Sequence, residues 1–201
     1  MTIVSEISNF YSESTRLAIV DFLDNELGLT WECNRTSLDH SDSIKNGRST
    51  YTALPFFGGE HLRLTDFVSE VFDEPLCPTY TCLSCYDRET SILMPHIDRD
   101  QCYRTLTYMI RCDEIPSWPM YIGKWELTDQ ERGEILSDRH ELKEHPKPGK
   151  DVDAIIDFQE WSTIEHSQNS AVFFSGTHRW HYRDKIPAGT ADVIMFHYNP
   201  V

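Results

Sequence analysis

Residues 93 to 110, "LMPHIDRDQCYRTLTYMI", place a histidine and an aspartate two positions apart at the head of a run that alternates like a strand. "CYRTLTYMI" is rich in β-branched and aromatic residues, which fit a pleated, half-buried surface. Side chains two apart on a strand share a face, so His96 and Asp98 are expected to aim together. A carboxylate buried without a partner is costly. The pair therefore reads either as a hydrogen-bonded couple on a polar face or as two donors of a metal site, and H-x-D alone favours the first.

A distant segment changes the balance. "NSAVFFSGTHRWHYRDKIPAGTADVIMFHY", residues 169 to 198, begins as a buried strand ended by Gly176. His178 and His181 follow at once, and another strand closes the segment. Either histidine could return beside His96 and Asp98. Two imidazoles and one carboxylate on one face of an octahedron leave three positions free, the donor set of non-haem Fe(II) oxygenases.

The flanking sequence divides into four parts. Residues 1–75 read as helical with loops. Leu17, Val20, Leu23 and Leu27 recur at helical spacing before Gly28, and Leu64, Phe67, Val68, Val71 and Phe72 form a second face ended by Pro75. Between them, "SDSIKNGRSTYTALPFFGG" reads as a loop or a short extended segment, with Gly58 and Gly59 as hinges. Residues 76–127 change to a period of two, with Tyr80, Cys82, Ser84 and Tyr86 on one face. Residues 128–160 are dense in charge and read as a solvated insert or flap, with His140 and His145 in solvent. Residues 161–201 return to strands. Short strands after N-terminal helices predict a mainly β fold: a double-stranded β-helix (a jelly-roll, cupin-like core) with helices packed on it, in one domain spanning 1–201.

Composition narrows the partners. The formal charge of −15 argues against a nucleic-acid backbone as partner. No run of apolar residues is long enough for a membrane span. "MTIVSEISNF" lacks the pattern of an export signal, so a cytoplasmic chain with reduced thiols is expected. Cys82 and Cys85 form C-x-x-C, but no second pair follows at zinc spacing, and two core residues are the better reading.

The motifs together resemble the 2-oxoglutarate- and Fe(II)-dependent oxygenases, whose pattern is H-x-D followed much later by a histidine. "CPTYTCLSCYDRETSILMPHIDRDQCYRTLTYMI", "SWPMYI" and "FFSGTHRWHYR" carry the likeness, which covers roughly 76–200. The late motif of this group resembles glycine, four residues, then His-aromatic-Arg. Gly176 to His181 has that spacing, so the resemblance implies His96, Asp98 and His181 as metal ligands and catalytic residues, with His178 a neighbour. It implies Fe(II), 2-oxoglutarate and O₂ as cofactor and co-substrates, and a small-molecule or peptide substrate hydroxylated at an unactivated C–H. Halogenases in related barrels lack the carboxylate that Asp98 supplies here. Many relatives hold the far carboxylate of 2-oxoglutarate with an arginine on the strand after the distal histidine, but "ADVIMFHY" has none. Arg183 is the natural substitute, ahead of Lys185 and Lys124. Tyr86 stands where a tyrosine often approaches the co-substrate. Thr105 and Thr107 are candidates to line the barrel. Arg99 points opposite to its two neighbours if the strand is regular, and so is read as structural. The loop at Phe56–Phe57 and the charged insert are read as lids. A cupin-like metal protein and a metal-free β-barrel binding module are the alternatives. Oligomeric state is not legible.

Overall fold

The computed structural model describes residues 5–29, 48–86, 92–113, 115–142 and 160–201, with the backbone alone over 137–142. Among the described residues, ten strands form two antiparallel sheets. The larger has the order β1-β8-β5-β10-β3-β2, from β1 (Ser5–Ser8), β8 (Ser170–Phe174), β5 (Arg104–Cys112), β10 (Ala191–Pro200), β3 (Leu76–Tyr86) and β2 (Arg48–Thr52). The smaller has the order β4-β9-β6-β7, from β4 (Leu93–His96), β9 (His181–Arg183), β6 (Met120–Gly123) and β7 (Trp161–Ile164). They face each other: Met120 and Ile122 of the small sheet pack on Val172 and Phe174 of the large one. The mainly β fold with helices against one sheet is the architecture expected of the sequence.

Both faces of the large sheet are covered, and its strands alternate accordingly. On β10, Ile194, Phe196 and Tyr198 join the core under the helices, while Val193, Met195 and His197 turn into the space between the sheets. On β5, Leu106, Tyr108 and Ile110 face the helices, and Thr105 and Thr107 face inward. The helical layer is α1 (Glu13–Asp21) and α2 (Pro55–Phe72). Ser12 caps α1 by accepting from Thr15 N–H at 3.2 Å, and a π-helical turn over Phe22–Glu26 extends it. Pro55 sits in the first turn of α2, where no N–H partner is needed, and Asp73 ends it in the left-handed conformation.

Several expectations are corrected. The N-terminal part holds more than helices and loops: β1 completes one edge of the large sheet, and β2, within the segment expected as a loop or short extended stretch, completes the other. Gly58 and Gly59 lie inside α2 rather than at hinges. Phe57 is buried in the core and Phe56 stacks on Phe22 at 4.0 Å, so neither belongs to a lid. The charged insert begins as a helix, α3 (Asp129–Leu142). His145 and the rest of the insert, 143–159, lie outside the described residues, as does the side chain of His140. Among the described residues no helix is long and apolar enough to cross a membrane.

Candidate metal centre

β4 ends at His96 and β9 begins at His181, and these two residues face each other in register. Their rings lie 4.1 Å apart. Each ring is held by its own backbone: His96 Nδ1 bonds Met94 O at 2.8 Å and His181 Nδ1 bonds Arg179 O at 3.0 Å. A carbonyl only accepts, so each Nδ1 carries the proton and each Nε2 presents a lone pair. Both lone pairs point toward Asp98, with Nε2–Oδ1 distances of 3.4 and 3.7 Å. The donor atoms of His96, Asp98 and His181 all fall within 4.8 Å of one another.

Asp98 is not on the strand, as the spacing rule assumed. It lies past the end of β4, fixed by a 2.9 Å bond from its N–H to Gly176 O. Its carboxylate rests against Gly176, where a Cβ would come within 2.5 Å of Oδ2 and of Cys102 O. That close approach is the physical reason for glycine in the late motif. Burial holds the His181 imidazole down to about 3, hence neutral. Burial would raise the Asp98 carboxyl, but the adjacent His181 and His96 rings outweigh it and hold it well below the usual range. A neutral His181 beside an ionised Asp98 matches the protonation states a divalent cation requires.

The three groups open onto a cavity of about 320 Å³ between the sheets. Phe174, Met120, Val193 and Met195 supply apolar wall, and Thr105 and Thr107 polar wall. Arg183 reaches in from β9, only 2% exposed. It donates to Trp118 O at 2.5 Å, lies 4.9 Å from the Trp118 ring centroid and meets His166 Nδ1 at 2.5 Å. His166 Nε2 donates to Ser170 O, so Nδ1 is the acceptor and His166 is neutral. No carboxylate answers Arg183 among the described residues, and burial lowers it to about 10. Tyr86 is buried on the same wall, edge-on to Trp118 at 4.7 Å.

The other candidates fall outside. Lys124 pairs with Glu160 on the surface, and Lys185 is exposed and does not line the cavity. His178 turns away, bonding Thr177 and Asp129. Cys82 lines the cavity while Cys85 enters the core on the opposite face, so the C-x-x-C residues do not converge. Arg99 corrects the sequence reading: the strand stops at His96, the parity argument lapses, and Arg99 lines the cavity with its guanidinium 5.0 Å from the Tyr80 ring centroid. The sequence reasoning missed Arg48, His166 and His197. His197 was within reach, since it shares the inward parity of Val193 and Met195.

No family model matches the chain, and no curated protein matches it. Among solved structures, it resembles the non-haem α-ketoglutarate-dependent carbocyclase SnoK from nogalamycin biosynthesis, with a TM-score of 0.67, 12% identity, and 98% of this chain and 79% of that one covered. It resembles HygX from Streptomyces hygroscopicus, solved with nickel and 2-oxoglutarate, with a TM-score of 0.61, 15% identity, and 100% and 84% covered. It resembles a Pseudomonas putida prolyl-4-hydroxylase, with a TM-score of 0.61, 10% identity, and 100% and 94% covered. These likenesses show the fold. It is the double-stranded β-helix of the 2-oxoglutarate-dependent oxygenases.

Proposed function

We propose that the protein is a non-haem Fe(II)- and 2-oxoglutarate-dependent oxygenase that hydroxylates an unactivated C–H bond of a small molecule, amino acid or peptide. The observation that carries this reading is the convergence of two proton-oriented imidazoles and one ionised carboxylate on the wall of a cavity whose inner end holds a buried arginine. His96, Asp98 and His181 are the ligands, and their chemistry fits a ferrous ion with open positions. When bound, that ion with 2-oxoglutarate and O₂ supplies the oxidation, releasing succinate and carbon dioxide.

The chain's own residues bind, orient and exclude water. Met94 O and Arg179 O fix the two imidazoles, and Gly176 seats the carboxylate. Arg183 would answer the far carboxylate of 2-oxoglutarate, a task that suits a guanidinium better than an ammonium. His166 and Trp118 hold that guanidinium in place, and Tyr86, packed on Trp118, would flank the co-substrate. Phe174, Met120 and Val193 keep the inner cavity dry. The free thiols of Cys77, Cys82, Cys85, Cys102 and Cys112 suit a reducing, cytoplasmic setting.

Anaerobic titration of the metal-free protein with Fe(II), with and without 2-oxoglutarate, tests this reading. One equivalent of iron should bind, and a visible charge-transfer band should appear only when both are present. His96→Ala, Asp98→Ala and His181→Ala should each lose the band. A folded protein that binds no iron would instead be a metal-free binding module.

A further inference from the structure

The arginines of this chain fall into two groups. Among the described residues, Arg16, Arg63, Arg104, Arg111, Arg132 and Arg179 each have a carboxylate oxygen within 4.0 Å. Arg48, Arg99 and Arg183 have none from the described residues, and all three line the cavity beside the candidate metal centre. In a chain with 33 acidic residues against 18 basic ones, an arginine meets a carboxylate by default. Three left without one at a single cavity require another explanation. Among the described residues Asp98 is the one carboxylate on that cavity wall, and the metal centre claims it.

The three also differ in depth. Arg183 is buried at the inner end, Arg48 is half-buried on the edge strand β2, and Arg99 is exposed directly after Asp98. The aromatic residues of β3 support the outer two: Arg48 lies 5.9 Å from the Tyr86 ring centroid and Arg99 lies 5.0 Å from that of Tyr80. Both act on the Cys82 thiol, which sits between those tyrosines on the inward face of β3, so they flank one stretch of wall. Each guanidinium also interacts with the hydroxyl of its tyrosine, which still leaves most of its N–H donors for a ligand. One small co-substrate reaching inward from the metal occupies Arg183 and leaves the outer pair unanswered.

We infer that Arg48 and Arg99 form a second oxyanion subsite at the cavity mouth, and that the substrate carries a carboxylate or a phosphate monoester held there. This rests on the oxygenase reading and adds the substrate's chemical class. The cavity is near the small end for ligand sites, so the anionic group and the reacting carbon belong to one compact molecule or to the tip of a longer one. The anion would fix which C–H faces the metal, and neutral analogues of the same shape would be rejected.

The test uses the full-length protein with Mn(II) in place of Fe(II) and saturating 2-oxoglutarate. N-Acetylglycine, methyl phosphate and the neutral N-acetylglycinamide are titrated in turn, and paramagnetic broadening of their proton resonances is read by NMR. The carboxylate or the phosphate should be broadened and the amide should not, and the tighter of the two anions identifies the source of the oxyanion. Arg48→Gln and Arg99→Gln should each weaken that probe about tenfold or more, and Arg48→Lys should restore part of the loss. Arg183→Gln should leave the probe's affinity unchanged while raising the 2-oxoglutarate requirement. Equal broadening by the amide, or anion binding that survives both outer substitutions, would overturn the subsite. Saturation-transfer titration of the metal-free protein separates the two readings. If Mn(II) and 2-oxoglutarate fail to bind, the oxygenase reading falls, while probe binding that depends on Arg48 and Arg99 stands or falls by itself.

Discussion

Phe196 and His197 are neighbours on β10, yet they belong to different environments. Phe196 packs with Phe57 and His61 beneath α2. His197 faces the other way, bonded to Thr105 Oγ1 at 3.1 Å and close enough to Asp98 for their donor atoms to cluster. The same split runs along β5, where Leu106 and Tyr108 serve the core and Thr105 and Thr107 the cavity. The outward face carries bulk apolar burial, which dominates stability. The inward face carries polar groups and an unanswered cation, which cost stability and are kept for chemistry. Alternation of the pleat assigns each residue to one role.

The largest expected effect breaks the outward face. Phe196→Ala should cost about 3–5 kcal/mol, the usual range for deleting a buried phenylalanine, and its urea midpoint should fall accordingly. Iron affinity of the fraction that remains folded should not change. Similar iron loss in that folded fraction would show that the two faces are not independent.

The next breaks the inward face. Arg183→Gln should raise the 2-oxoglutarate requirement about ten- to a hundredfold, equivalent to roughly 1.4–2.8 kcal/mol. Arg183→Met should do the same while raising the melting temperature of the metal-free protein, because it removes a buried charge that lacks a counter-ion. A melting temperature that falls, with 2-oxoglutarate affinity intact, would make Arg183 a structural residue.

Acid tests both faces at once. Burial holds His197 down to about 4, and it also lowers His61 and, further, His166. All three stay neutral in the folded chain and take up protons near pH 6.5 once unfolded. Their contribution is therefore complete above about pH 6.5 and is lost as the pH falls below it, for His197 down to about 4, each group costing up to ~1.4 kcal/mol per pH unit while it stays neutral in the fold. The melting temperature of the metal-free protein should fall steadily from pH 6.5 to 4.5, and a flat profile would contradict the burial of these rings.

The smallest effect sharpens the choice between the two late histidines. His178→Ala removes a bond to Asp129, whose side chain is 97% exposed, and surface pairs of this kind contribute about 0–1 kcal/mol. Iron binding should be unchanged by calorimetry. Loss of iron would move the ligand role from His181 to His178.

Much of this was legible because local pattern and tertiary environment agree. "CYRTLTYMI" and "ADVIMFHYNP" alternate as their two buried faces require, and the spacing of Gly176 to His181 pointed to the histidine that meets His96. What was not legible depends on partners far along the chain. β1 and β2 are short, and their pairing with β8 and β3 supplies what their own sequence does not announce. Arg48 came with β2. Arg99 was misread because the rule of two applies only while a strand lasts, and β4 stops three residues earlier. Gly58 and Gly59 looked like hinges because the pattern of α2 is weakest in its first turns, where Pro55 fixes the start.

The seat of Asp98 against Gly176 also bears on how the molecule assembles. The His96–Asp98 pair and the segment that carries Gly176 and His181 lie far apart in the chain, so no local segment holds the full donor set. Asp98 reaches its place only after the end of β8 has docked beside the start of β5. A metal ion therefore meets its full set of donors only in a chain that has completed its long-range pairing. Its binding energy then falls on the native state as a whole, by mass action, and not on a folding intermediate. With iron bound as proposed, metal uptake would act as a proofreading step: chains that stall before the sheets close would stay empty and carry no oxidising centre among exposed side chains.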